Sequence, residues 1–246
     1  MVNIMRAVKS PAGFIKKAVS YIVSLVFPES CIFCLKPVER NSPNPYVCRE
    51  CLEDIPYLPF DEKLKETDGV SFEGYEIYGL SIYDYKSIRD TIFLFKYKGF
   101  KRYGAILGRM MAEYVIENKL QAILDADMVV PVPLWKEKEK KRGFNQAALM
   151  TESFSKVTGI PYDESVIMRI RDTAPQSSLR KHQRDVNIRS AFKVTDENKV
   201  KGRKILLLDD IYTTGSTVRE CAKNFYVNGA KAVMYIALAG ADEHDD

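Results

Sequence analysis

The chain has 246 residues, 46% of them hydrophobic, with a formal net charge of +4. That is enough apolar content for one sizeable core with a small appendage, and no apolar run is long enough to span a membrane. The mild positive charge permits nucleic-acid binding without requiring it.

Residues 1–28 carry Arg6, Lys9, Lys16 and Lys17 and no acid. Phe14, Ala18 and Ile22 share one helical face, which predicts a basic amphipathic helix. Such a helix packs on its own domain or lies on a partner or a membrane surface. The apolar stretch from Ala18 to Phe27 has the length of a signal-peptide core but lacks a small-x-small cleavage site.

Residues 29–60 form a second unit. Cys31 and Cys34 make one CxxC pair, and Cys48 and Cys51 another, with thirteen residues between the pairs. Each turn can present two thiolates to one ion, so the four predict a tetrahedral site with no open position. Zinc is the expected ion, with an iron centre as the alternative; a redox dithiol needs only one such pair. Such cysteine usage suits a reducing compartment better than a disulfide framework, and so small a module depends on its metal to fold. The fifth cysteine, Cys221, reads as a small buried hydrophobe.

Ile55 to Asp68 reads as a linker. Phe72 to Tyr85 alternates and is interrupted by Gly79, which predicts two short strands. A helix is expected from Ser87 to Gly99. After it Lys96, Lys98, Lys101 and Arg102 interleave with Tyr97, Phe100 and Tyr103, a pattern suited to phosphates and stacked bases and equally to a solvated helix end. A further helix spans about 105–118. Met128 to Val132 is a strand ending in a Pro-Val-Pro turn. The charged run Lys136 to Arg142 follows, then Gly143-Phe-Asn-Gln146 and a helix ending at Gly159. A proline turn, cations and an Arg-Gly pair at a helix start make an anion site.

Ser165 to Ile170 and Ala191 to Val194 are further strands. Between and around them lies a basic arm carrying Arg169, Arg171, Arg180, Lys181, Arg184 and Arg189, opposed by Asp172 and Asp185. Arginine binds phosphate bidentately, and Pro175 with Ser177-Ser178 suits a loop that orders on a ligand. His182 reads as a bystander.

The strongest stretch is Lys204 to Thr217. An apolar strand, Ile205 to Leu208, runs into Asp209 and Asp210, then Thr213, Thr214, Gly215, Ser216 and Thr217, then a helix. Turn amides, hydroxyls and the helix N-terminus converge on one anion, and Gly215 lets the backbone approach it. Two carboxylates can accept bonds from neighbouring ribose hydroxyls. The stretch is neither a Walker A loop nor a GxGxxG turn. The last strand is Ala232 to Leu238, and residues 241–246 form an acidic tail. Strands alternating with helices predict an α/β domain over 70–240 with a mostly parallel sheet, whose ligands sit at the C-terminal strand ends.

The strand–Asp-Asp–x-x–Thr-Thr-Gly-Ser-Thr stretch resembles the phosphoribosyl-diphosphate (PRPP) signature of type I phosphoribosyltransferases. Pro131-Val-Pro-Leu134, then Arg142-Gly-Phe-Asn-Gln-Ala147, then Arg169-x-Arg171-x-Thr173-x-x-Gln176, then that signature, behind four cysteines, resembles the ComF family over 27–238. The resemblance implies a type I phosphoribosyltransferase fold (a mostly parallel sheet flanked by helices) with a small N-terminal zinc module. It implies a site for PRPP or ribose 5′-phosphate at Asp209, Asp210, Thr213, Thr214, Gly215, Ser216 and Thr217, with Asp209 and Asp210 as the catalytic candidates. Lys98, Arg142, Arg171, Gln176 and Arg180 are expected around it, with Mg²⁺ on the diphosphate. It further implies a cytoplasmic role in competence, peripheral to the inner face of the membrane. Single-stranded DNA and a ComFA-like helicase are the expected partners. Lys96, Lys98, Lys101, Arg102, Arg180, Lys181 and Arg184 are the DNA-contact candidates. An active nucleotide-forming transferase and a non-catalytic PRPP sensor are the alternatives.

Overall fold

The computed structural model describes residues 30–58, 77–173 and 187–241. The expected N-terminal helix and the acidic tail beyond Ala241 lie outside them, as do Gln176, Arg180, Lys181, His182 and Arg184. The chain divides into two compact units at Ile55–Pro56. In the first, Ser30 bridges Pro37, and Cys31 N–H donates to Lys36 O at 2.8 Å, closing the first cysteine turn. Cys48 is the N-cap of a short helix α1 (Arg49–Glu53), and Cys51 lies within it.

The second unit is built on a four-stranded parallel sheet: β1 (Ile77–Asp84), β2 (Met128–Pro131), β5 (Lys204–Tyr212) and β6 (Ala232–Gly240), ordered β1-β6-β5-β2. The expected class, a mostly parallel sheet flanked by helices beside a four-cysteine module, is what the chain adopts. Strands β3 (Ile167–Arg169) and β4 (Phe192–Val194) leave the main sheet and pair with each other, antiparallel. Ile205 and Leu207 belong to a core closed by Val218, Cys221 and Phe225. Leu206 and Leu208 are equally buried and point to the opposite face, so β5 is apolar on both sides, as a central parallel strand must be. Cys221 is fully buried, as expected.

Two expectations fail, each for a local reason. Gly79 does not divide two strands: it sits inside β1, where a Cβ would lie 2.2 Å from Tyr235 O on β6. A glycine in a strand interior marks close approach as readily as a break. The following helix, α2 (Tyr85–Tyr97), begins two residues before Ser87, because Asp84 caps it by accepting from Ser87 N–H at 3.1 Å. Part of the expected linker is ordered too: Leu58 N–H donates to Ile82 O and Asp84 N–H to Pro56 O, so residues 56–58 run along β1.

Helix α3 (Arg102–Glu117) packs on α6 (Gln146–Thr158) through Gly104 and Gly108, four residues apart on one face. A Cβ on Gly108 would meet Met150 O at 2.1 Å. Between them come α4 (Gln121–Leu124), β2 and α5 (Lys136–Arg142), the last ending on left-handed Gly143. Helix α7 (Ser216–Val227) links β5 to β6.

Candidate functional site

The site begins where β2 stops. Its last pair is Pro131 with Leu208, and Val132 N–H still donates to Leu208 O at 2.9 Å. The proline turn then carries the chain away, while β5 continues beside β6 to Tyr212. Asp209 and Asp210 therefore have a strand neighbour on one side and a crevice on the other, at the carboxyl ends of parallel strands. A cavity of about 920 Å³ occupies that crevice.

The acid pair is tightly constrained. Asp209 Oδ1 accepts from Asp210 N–H at 2.8 Å, and Asp210 Oδ2 meets Lys96 Nζ at 2.6 Å. Burial, and then the adjacent Asp210 carboxylate, push Asp209 up to about 8, against the opposing pull of Lys96. Asp209 thus holds its proton more tightly than an ordinary carboxylate, and a cation or hydrogen-bond donor that enters favours its charged form.

The turn after β5 is held from behind. Gly215 has φ 72°, and a Cβ there would lie 2.5 Å from the Tyr212 hydroxyl. Tyr212 itself stacks on Tyr235 at 4.6 Å. Gly215 caps α7, with Arg219 N–H donating to Gly215 O at 2.8 Å. Thr214 and Ser216 are buried and share a 2.7 Å hydroxyl bond, so they brace the turn, whereas Thr213 and Thr217 line the cavity. The first turn of α7 adds its amides and dipole to that wall.

The opposite wall comes from α5 and the start of α6. Asn145 caps α6, its side chain accepting from Ala147 N–H at 3.1 Å and donating to Val132 O at 3.0 Å. That pair of bonds fixes the Arg142–Gly143 corner to the end of β2. Arg142 donates to Gln146, whose Nε2 is buried with no hydrogen-bond partner, on a residue that lines the cavity. Lys138 and Lys141 line it too, and Lys138 Nζ donates to Thr173 O at 2.9 Å. From β3 comes Arg169, over the Phe192 ring at 5.7 Å, donating to Thr173 and with Nε buried and unpartnered. The cations Arg89, Lys96, Lys138, Lys141, Arg142 and Arg169 outnumber the cavity's carboxylates Asp90, Asp209 and Asp210. Such a wall suits a multiply charged anion.

Of the residues expected around the site, Asp209, Asp210, Thr213, Thr217 and Arg142 meet in this cavity. Lys98 is the exposed C-cap of α2 and does not line it; Lys96, one half-turn earlier, does. Arg171 lies outside the lining and ties the arm's two ends by donating to Asn187 O, at 2.8 Å, and Arg189 O. Lys101 donates to Gly143 O at 3.4 Å and Arg102 lies over the Phe100 and Tyr103 rings, so of that basic cluster only Lys96 turns inward. Lys138 and Lys141 belong to the Lys136–Arg142 run read as the cations of an anion site, whereas sequence reasoning passed over Phe93. The signal for Phe93 is helical phase: Tyr85, Arg89, Phe93 and Tyr97 recur every four residues on α2.

In the first unit the sulfur atoms of Cys31, Cys34, Cys48 and Cys51 all lie within 4.8 Å of one another, with Cys34 and Cys48 at 3.6 Å. Phe33 N–H points at Cys31 Sγ at 3.5 Å, the kind of bond that supports a thiolate. Burial, and then the neighbouring thiols, push Cys51 well up. Four sulfurs this close fit one tetrahedral cation, which removes their mutual repulsion, so the cluster is able to hold a metal ion. Among the described residues no helix is long and apolar enough to cross a membrane.

No protein-family model matches the chain. It is 36% identical over 135 residues to a DNA utilization protein, YhgH, of Salmonella typhimurium, covering 54% of this chain and 59% of that protein. It is 32% identical over 116 residues to competence protein F of Haemophilus influenzae, covering 47% and 51%. The chain thus spans between half and three-fifths of the length of these two curated relatives. Among solved structures, a glutamine PRPP amidotransferase from B. subtilis complexed with ADP and GMP aligns at 18% identity and a TM-score of 0.37, over 55% of this chain and 26% of that one. The chain is a relative of proteins named for competence and DNA utilization, and the resemblance to the ComF family read from the order of its motifs stands.

Proposed function

We propose that the cavity binds PRPP or another ribose 5′-phosphate and that the chain handles DNA during uptake or use. The observation that carries the first half is one cavity lined by an acid pair at parallel strand ends, a hydroxyl turn at a helix N-terminus, and a wall of cations. In this reading Asp209 and Asp210 accept from the ribose hydroxyls. Thr213, Thr217 and the first-turn amides of α7 hold the 5′-phosphate. Arg142, Lys138, Lys141 and Arg169 face the diphosphate. Mg²⁺, a hard oxygen-seeking cation, would neutralise diphosphate charge, and the oxygens of Asp209 and Asp210 are donors of the right kind. Lys96 must release Asp210 for the ribose to bind, so it acts as an internal counter-ion that the ligand displaces. Transfer from such a ligand needs charge stabilisation more than a protein base.

The second half rests on the names of the relatives and on the chain's basic stretches. Lys96 to Arg102 and the arm from Arg169 to Arg189 suit a single strand in the cytoplasm, with a helicase as the expected partner. Zinc is the proposed ion for the four cysteines, with a purely structural role.

A melting-temperature series tests the site. PRPP with Mg²⁺, ribose 5-phosphate or a nucleoside 5′-monophosphate at about 100 times its dissociation constant should stabilise the protein by roughly 2.7 kcal/mol. Inorganic phosphate should do less, and Asp209→Asn with Asp210→Asn should abolish the shift. If no ribose phosphate shifts the wild type, the reading fails. Incubation with PRPP, Mg²⁺ and each nucleobase, watching for pyrophosphate, separates a transferase from a sensor.

A further inference from the structure

We infer that Tyr212 sets how strongly the cavity prefers a 5′-phosphorylated sugar, by holding the Gly215 turn in its anion-binding shape before a ligand arrives. The inference rests on the phosphoribosyl reading and adds the residue that makes the phosphate end of that site selective. Tyr212 is outside the cavity lining, so it acts through the turn and is a positioning residue. It belongs to a stack of four residues drawn from three strands and the turn. The Tyr235 ring of β6 occupies the space that a Cβ on Gly79 of β1 would need. Tyr212 lies on Tyr235 with ring centroids 4.6 Å apart and planes 8° from parallel. The far edge of Tyr212 fills the matching space at Gly215, where a Cβ would lie 2.5 Å from the hydroxyl and 2.9 Å from Cζ. A pair of tyrosines is thus held between two glycines, one in a strand and one in the turn.

The floor under the turn is rigid. Tyr235 is buried in the core that α7 closes, and Tyr212 packs against that core. The Tyr212 backbone is fixed as well: it pairs with Gly240, and its carbonyl accepts from Ala241 N–H at 2.9 Å. What stands on this floor gives it a function. Gly215 has a left-handed backbone, and Thr213 and Thr217, two residues to either side, line the cavity. Glycine has the widest backbone freedom, so an unsupported turn would sample many shapes, few of which aim its N–H groups at one anion. Ordering the turn on the ligand would cost affinity, and a turn ordered in advance avoids that cost. The Thr214–Ser216 hydroxyl bond ties the turn across itself, and the Tyr212 ring anchors it to the sheet. The benefit falls on one group of the ligand, the phosphate ester that the turn holds. A sugar at Asp209 and Asp210, or a diphosphate at the cationic wall, does not stand on Tyr212.

Calorimetry on the full chain compares a nucleoside 5′-monophosphate with the matching nucleoside, and pyrophosphate with Mg²⁺ serves as the control for the cationic wall. The proteins are the wild type, Tyr212→Ala, Tyr212→Leu and Tyr212→Phe, with melting curves to check that each is folded. Leucine fills much of the core volume without a flat face, so it keeps the comparison available if the alanine variant does not fold. The wild type should prefer the monophosphate. That preference should fall about tenfold in Tyr212→Ala and Tyr212→Leu, the order expected when backbone must be ordered on binding. Tyr212→Phe keeps the ring and the stack and should retain most of the preference. Affinities for the nucleoside and for pyrophosphate should stay nearly unchanged throughout. A preference that survives intact in Tyr212→Leu overturns the inference. Equal losses for all three ligands overturn it too, by marking Tyr212 as a residue of general stability. If the wild type binds the monophosphate no tighter than the nucleoside, the phosphoribosyl reading itself falls and takes the inference with it.

Discussion

Asp209 concentrates the chemistry at the scale of single residues. Burial raises it to about 8, and the sign of the consequence is definite. An unfolded aspartate ionises near 4, so between roughly pH 4 and pH 8 the unfolded chain gives up its proton while the folded one keeps it. Stability from this group is complete at low pH and is lost as pH rises through about 8. Asp209→Asn removes the titration, so its melting temperature relative to wild type should climb from pH 4 to pH 8.5. A flat difference over that range would mean that Asp209 ionises normally. The ligand should oppose the trend, because ribose hydroxyls and Mg²⁺ favour the charged pair. The pair itself was legible in the sequence, since two carboxylates after an apolar run have few other uses. The upward shift of Asp209 and the Lys96 partner were not, because Lys96 lies 114 positions from Asp210 and only the packing of α2 on the sheet brings them together.

Among the elements, the glycines of α3 carry the plainest prediction. Gly104 and Gly108 let α3 approach α6 until backbone meets backbone. Gly108→Ala would usually stabilise a helix by about 1 kcal/mol. Here its Cβ would sit 2.1 Å from Met150 O, which cannot rotate away. A net loss of roughly 1–3 kcal/mol is expected, visible as several degrees in thermal melts. Gly108→Ala with an unchanged or raised melting temperature would show that the helices part freely. Gly79 behaves in the same way on a strand: its identity suggested a break, while its position beneath Tyr235 makes it a contact. Helix starts were legible to within a few residues, because the onset of apolar periodicity marks them. Asp84 was passed over, because Ser87, where the sequence placed the helix start, is itself a residue type that caps helices.

For the whole molecule, the division at Ile55–Pro56 predicts independent behaviour. Cys48→Ser should release the bound metal and unfold the small unit, while the sheet unit keeps its melting transition within about 2 °C, since no ligand sulfur belongs to it. Elemental analysis of the purified wild type should give one zinc per chain; neither zinc nor iron would end the metal proposal. Single-strand binding, if it runs over the basic arm, should weaken steeply with salt. Arg180→Ala plus Arg184→Ala should lower the log–log slope by roughly 0.7 for each phosphate that the variant no longer neutralises. No binding of an oligonucleotide at low salt would remove DNA from the account. By itself, the sequence determined the four-cysteine cluster, the α/β class, the acid pair and the turn after it. Each of these is local: spacing within a turn, periodicity within a strand, or residues adjacent in the chain. Only the tertiary structure decided which cations share a cavity with that pair, which hydroxyls of the turn line it and which brace it, and that the α2 rings face it. Those facts depend on the rotation of one helix against another and on where β2 ends relative to β5. Both are set by side-chain packing between residues far apart in the chain, a quantity that no single window of sequence contains.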